Sequence, residues 1–254
     1  MLDMGIEKDR VAIIGTGRTG SSLLFSLLSK IEGIAVTNPK EFLNQRGFIN
    51  LDVLLEDLEL IVRGTAEFTL FTHVKTQPSS WDGDKFRLSD GISTTVQDVV
   101  DSLKEIGFTK FIHIKRDNLF RWFLSVQRGW GGDTQTKGGG IVFRHKGDKS
   151  RKSPIIVDPI ICRKNVENAE EINRQITEVL SGEERISLTY DIELQDDYRI
   201  GLMKIVNFVG IDLQEFPDTS FRRTNPYTLQ ETIENYEDFE IFFKGTKWEW
   251  MLNK

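Results

Sequence analysis

Val11-Ala-Ile-Ile-Gly15-Thr-Gly-Arg-Thr-Gly20-Ser-Ser-Leu-Leu-Phe-Ser-Leu-Leu-Ser-Lys30 is the stretch that decides how this chain is read. It opens on a short apolar run rich in β-branched residues and breaks at Gly15. It then resumes with Leu23, Leu24, Leu27, Leu28 and Ile31 at helical spacing. The pattern predicts strand, tight glycine turn, helix. At such a junction successive backbone N–H groups meet the positive end of a helix dipole, which makes a phosphate site. Gly15, Gly17 and Gly20 let the backbone approach an anion closely, while Thr19, Ser21 and Ser22 offer hydroxyl donors.

Outward from this turn the alternation repeats. Ile34–Val36, Phe68–Val74, Phe111–Ile114 and Ile186–Thr189 read as strands. Thr94–Ile106, Leu119–Arg128 and Asp197–Val209 read as helices, and Asp158-Pro159 opens another that runs to about Leu180. Strands alternating with helices imply right-handed βαβ units. The expected fold is α/β, a P-loop-like three-layer sandwich with a central, mainly parallel sheet flanked by helices. With no Pro- or Ser-rich linker and no internal repeat, a single domain over residues 1–254 is expected.

Composition narrows the class. A chain of 254 residues, 39% hydrophobic and 28% charged, can bury a sizeable core and is neither disordered nor collagenous. No run of 18 apolar residues exists, and Met1–Arg10 lacks the apolar run of a secretory signal, so no membrane span is expected. One cysteine, Cys162, forms no internal disulfide, which fits a cytoplasmic location. A net charge of −6 argues against nucleic acid as a partner. Against that acidic background, Lys137–Lys152 carries six Lys and Arg against the single Asp148, a local +5. This stretch lies within the glycine-rich segment Gly129–Ser153, a candidate basic lid over an anionic ligand.

Three nucleotide sites share this turn. Gly15, Gly17 and Gly20 fit the G-x-G-x-x-G of dinucleotide-binding folds. The acid that should hold the ribose after the second strand is missing, since Ile34–Val36 runs into Thr37-Asn38-Pro39. Gly15 and Gly20 also fit a Walker A loop, but Ser21 stands where its lysine belongs, and Phe111–Ile114 runs into Lys115-Arg116 rather than a magnesium-binding aspartate. In the third reading Arg18-Thr-Gly-Ser-Ser-Leu23 resembles the 5′-phosphosulfate loop of sulfotransferases that use 3′-phosphoadenylyl sulfate (PAPS). There a basic residue in the place of Arg18 contacts the bridging oxygen and the transferring sulfuryl group.

A second motif supports that resemblance. Phe111-Ile-His-Ile-Lys-Arg116-Asp-Asn-Leu-Phe-Arg-Trp-Phe-Leu-Ser125 looks like the family's strand ending in arginine and helix bearing serine, most like the R-x-N form of bacterial carbohydrate and small-molecule sulfotransferases. The resemblance implies that Arg116 and Ser125 hold the nucleotide 3′-phosphate. Ile186-Ser-Leu-Thr-Tyr190-Asp191 is similar to a later strand and Tyr-acid element, and Phe221-Arg-Arg-Thr-Asn225 to the bacterial tail. The implied nucleotide contacts are Gly17, Arg18, Thr19, Gly20, Ser21, Ser22, Arg116, Ser125, Tyr190, Arg222 and Arg223.

The implied reaction moves a sulfuryl group from PAPS to a hydroxyl of a carbohydrate, lipid or small molecule, releasing adenosine 3′,5′-bisphosphate, with no metal. Arg18 would stabilise the leaving phosphate, and Glu41 or His73 would serve as general base. His113, mid-strand between apolar neighbours, reads as structural. The acceptor pocket is expected from Asn38–Asn50, the lid and aromatics near Trp81 and Trp130, while Trp248 and Trp250 either cover a sugar or lipid or, as terminal aromatics more often do, pack on the body of the fold. Homodimers occur in such a family. The competing functions are a P-loop kinase or hydrolase, a non-catalytic nucleotide-binding protein and a Rossmann oxidoreductase.

Overall fold

Apolar residues on both faces of a strand require cover on both sides, and β1 (Arg10–Thr16) shows it: Val11, Ala12, Ile13 and Ile14 are all inaccessible to solvent. A computed structural model describes residues 8–37, 51–65, 67–76, 81–82, 85–87, 93–130, 154–220 and 227–253. The chain forms two compact units. The first holds Met1–Lys115 and Ile172–Asp218, the second Arg116–Glu171 and Thr219–Lys254.

In the first unit β1 leads through a glycine turn into α1 (Ser21–Leu28), then β2 (Ile34–Thr37), α2 (Leu51–Gly64) and β3 (Thr69–Thr76). Three short strands follow, β4 (Trp81–Asp82), β5 (Lys85–Arg87) and β6 (Ser93–Thr94), then α3 (Val96–Glu105) and β7 (Lys110–Lys115). Later come β8 (Glu184–Thr189), a π-helical turn (Tyr190–Asp196) and α6 (Tyr198–Phe208). The main sheet has the order β2-β3-β1-β7-β8, and every pairing in it is parallel. β4, β5 and β6 form a separate antiparallel sheet.

The two faces of the main sheet sort by alternation. Ala12, Ile14, Leu70, Val74 and Phe111 pack against α2, α3 and the Ile172–Leu180 stretch. Val11, Ile13, Phe71, Ile112 and Ile114 pack against α1 and α6. Sequence and local geometry agree at the helix starts. Thr95 caps α3 in a reciprocal box with Asp98, and Asp197 caps α6 through the Arg199 N–H. At the other end of the sheet Lys110 Nζ reaches Asp9 Oδ2 at 2.8 Å and donates to the Phe208 carbonyl at 3.0 Å, fastening the starts of β1 and β7 to the end of α6.

The second unit gathers α4 (Leu119–Trp130), the first part of α5 (Pro159–Val179), α7 (Leu229–Thr232) and α8 (Tyr236–Phe243) around an aromatic core. Phe120, Phe239 and Phe243 lie with ring centroids 4.5–5.1 Å apart, next to buried Trp122 and Trp248. α5 starts where Asp158-Pro159 predicts: the Asp158 carboxylate accepts the Ile160 N–H at 2.8 Å, and Pro159 is the first helical residue. Among the described residues no helix is long and apolar enough to cross a membrane.

Candidate functional site

The chain leaves β1 toward β2 on one side of the sheet and leaves β7 toward β8 on the other. The carboxyl ends of β1 and β7 therefore flank a topological switch point, the place where open α/β sheets bind ligands. The glycine turn stands there. A Cβ on Gly15 would fall 2.1 Å from the Ile114 carbonyl oxygen, so only glycine lets β1 lie this close to β7. Beyond Thr16 the backbone turns through Arg18 at φ 69° and Gly20 at φ 84°. Arg18 is the one non-glycine residue with positive φ among the described residues, a conformation that costs an L-residue about 1–2 kcal/mol. The Thr19 hydroxyl donates to the Thr16 carbonyl at 2.9 Å and closes the turn from inside.

Gly20 then serves as N-cap of α1, with no side chain capping the helix and no acid in its first turn. The first N–H groups of α1 and the positive helix end thus stand at the sheet edge with no carboxylate in the helix's own first turn. Ser21 is buried and Ser22 half-buried. Tyr190 joins the turn from β8: its ring carbons would lie 2.4–2.5 Å from a Cβ on Gly20. Tyr190 and the six residues Gly17–Ser22 are thus brought together in one place.

His73 is placed elsewhere. It pairs in register with Ile13, three residues before the Thr16–Thr76 edge, roughly 10 Å down the strand. Its ring is 3% exposed and packs on Phe25 of α1 at 5.9 Å. His113 faces the opposite side of the sheet. Its Nε2 lies 3.3 Å from Asn173 Oδ1 and its Nδ1 3.3 Å from Thr177 Oγ1. Burial pulls this imidazole down to about 4, with Lys115 and Arg185 adding to the effect against the Asn173 hydrogen bond. It is a neutral core residue.

In the second unit Arg116 is 8% exposed and Ser125 half-buried on α4. Asn118, the third residue of the Arg-x-Asn match, has a structural task. Its Oδ1 accepts the Arg121 N–H at 3.0 Å as a cap of α4, and its Nδ2 donates to the Met251 carbonyl at 2.9 Å. Trp248 is buried, with Nε1 donating to Glu170 Oε1 at 2.9 Å. Glu41, Arg222, Arg223 and residues 131–153 of the candidate lid lie outside the described residues.

Sequence reasoning missed the bracing of Tyr190. The Glu193 and Lys204 side chains pair at 2.9 Å behind it. The turn has no periodicity of its own, so nothing in the spacing points to this pair.

A parallel sheet of order β2-β3-β1-β7-β8, covered by helices on both faces and carrying a glycine turn at its switch point, is an α/β fold of the P-loop-like kind. The same fold occurs in a sulfotransferase from Alicyclobacillus acidocaldarius, with a TM-score of 0.52 and 13% identity over 98% of this chain and 97% of that one. Mouse sulfotransferase SULT7A1 complexed with PAP is also similar, with a TM-score of 0.47 and 15% identity over 83% of this chain. This chain spans 61% of the mouse protein's length. No family model matches the chain, and the comparison with curated proteins finds no relative.

Proposed function

We propose that this protein is a PAPS-dependent sulfotransferase acting on a hydroxyl of a glycan, lipid or small molecule. One observation carries the reading. Arg18 is held in a left-handed turn at the carboxyl end of β1, where a Walker A loop would carry its conformation-tolerant glycines and, three residues on, its lysine. A fold shared with a bacterial sulfotransferase supports it.

In this reading the acceptor oxygen attacks sulfur in line, the bond from sulfur to the 5′-phosphate oxygen breaks, and adenosine 3′,5′-bisphosphate leaves with the electron pair. Negative charge grows on that phosphate. In this reading the N–H groups of Gly17–Ser22 and the Arg18 guanidinium act on that charge. Arg116 and Ser125 take the 3′-phosphate, Tyr190 the nucleoside, and Arg222 and Arg223 further phosphate contacts. The proton of the acceptor hydroxyl passes to a carboxylate, for which Glu41 is the candidate. His73 suits this task poorly, because its ring is packed into the core below the sheet edge. The buried lone Cys162 fits a reducing, cytoplasmic setting.

Calorimetric titration with adenosine 3′,5′-bisphosphate, adenosine 5′-phosphate, ATP–magnesium and NADH tests the reading. The bisphosphate should bind selectively, and Arg116→Ala should weaken it strongly while hardly affecting adenosine 5′-phosphate. A response to ATP–magnesium or NADH in place of the bisphosphate would assign the glycine turn to another nucleotide.

A further inference from the structure

The π-helical turn after β8 is fastened more firmly than a connection needs. The Glu193 carboxylate accepts the Thr189 N–H through Oε2 at 2.5 Å and the Lys204 ammonium through Oε1 at 2.9 Å. Lys204 also donates to the Ser187 carbonyl at 2.6 Å. α6 closes on the same turn, since a Cβ on Gly201 would lie 2.6 Å from the Glu193 carbonyl oxygen. The start of α6 is already capped by Asp197, so these bonds are not required to begin the helix. They run backward instead, to Ser187 and Thr189, the last residues before Tyr190.

Tyr190 is what this lock aims. Its ring lies against Gly20, the residue that carries the turn into α1 at φ 84°. The Glu193 side chain is 14% exposed and its bond to the Thr189 N–H is partly buried, while Lys204 approaches from the solvent side at 43% exposure. We infer that Glu193 is a positioning residue for the phosphate loop: through Thr189 it fixes Tyr190, and the Tyr190 ring holds the left-handed turn Arg18–Gly20 in its binding shape. The Lys204 ammonium orients the carboxylate. The inference rests on the reading of this loop as a nucleotide site, and its test separates the two.

Hydrogen exchange on the ligand-free full chain reads the loop directly. Glu193→Ala and Tyr190→Ala should speed exchange of the Gly17–Leu23 amides on the order of tenfold, while the amides of α3 stay at the wild-type rate. Glu193→Gln keeps an acceptor for Thr189 but loses the charge, and should give about threefold. Tyr190→Phe keeps the ring against Gly20 and should leave loop exchange much closer to wild type than Tyr190→Ala does. In the Glu193 variants affinity for adenosine 3′,5′-bisphosphate should fall by the same factors, because only the ordered loop binds. Wild-type exchange in the loop of both Glu193→Ala and Tyr190→Ala would overturn the inference. If Glu193→Ala unfolds, seen as faster exchange in α3 as well, Glu193→Gln and Tyr190→Ala decide it on the same criterion. A wild-type protein that ignores the bisphosphate would overturn the nucleotide reading, and the exchange data would still decide whether Glu193 holds the loop.

Discussion

At the scale of single residues the site depends on two backbone positions whose requirements differ. Gly15 is needed for space: any side chain meets the Ile114 carbonyl, which cannot move without breaking the β1–β7 ladder. Gly15→Ala should therefore destabilise by about 3 kcal/mol, roughly 6–12 °C in melting temperature for a chain of this size. An unchanged melting temperature would mean that the two strands are not so closely apposed. Arg18 is the reverse case, a side chain kept where the backbone would prefer glycine. Arg18→Gly relieves about 1 kcal/mol of left-handed strain, offset by a similar entropic cost of glycine. Stability should stay within about 1 kcal/mol while PAPS turnover falls about 10²–10³-fold. Parallel loss of stability and turnover would show that the guanidinium holds the fold rather than the leaving phosphate.

Among elements, β7 carries a titrating device that the mechanism does not use. His113 is buried against α5 and holds its proton only near pH 4, whereas an unfolded histidine titrates near ~6.5. Between those values the unfolded chain binds more protons than the folded one, so stability falls as pH falls through this window and is flat above it. The full effect is about 3 kcal/mol by linkage. Urea unfolding of wild type and His113→Gln between pH 7.5 and 4 measures it: the variant should lose this part of the slope, and identical slopes would place the acid sensitivity elsewhere. The burial of this histidine was legible, because it sits mid-strand between apolar neighbours in Phe111–Ile114. So were β1, α1, β3, α3, α4, α5 and α6, each marked by its own period or cap. α2 was not read, although its apolar residues recur at helical spacing, with Leu60 the exposed exception. β4, β5 and β6 are two or three residues long, too short to show alternation. In the site, residue types announced the loop and Tyr190, but the left-handed turn at Arg18 and the Glu193–Lys204 lock depend on φ angles and on contacts between elements that spacing does not encode.

At the scale of the whole molecule the chain builds two cores of different make, one of aliphatic residues layered on a parallel sheet, the other of aromatic rings among helices. The second contains the only cysteine of the sequence, which makes it separately observable. Cys162 is fully buried on α5 beside this aromatic core, and burial pushes its thiol well above the ordinary range. A thiol so placed reacts through its thiolate only when the second unit opens, so its alkylation rate reports the stability of that unit. Under native conditions Cys162 should resist a thiol reagent, and with rising urea its labelling should follow the unfolding of the second unit. Amide exchange in β1 and β3 reports the first unit in the same samples. Coincident transitions would show the two units unfolding as one cooperative body, whereas labelling of Cys162 ahead of strand exchange would give each core its own stability. Rapid labelling without denaturant would contradict the burial of this thiol.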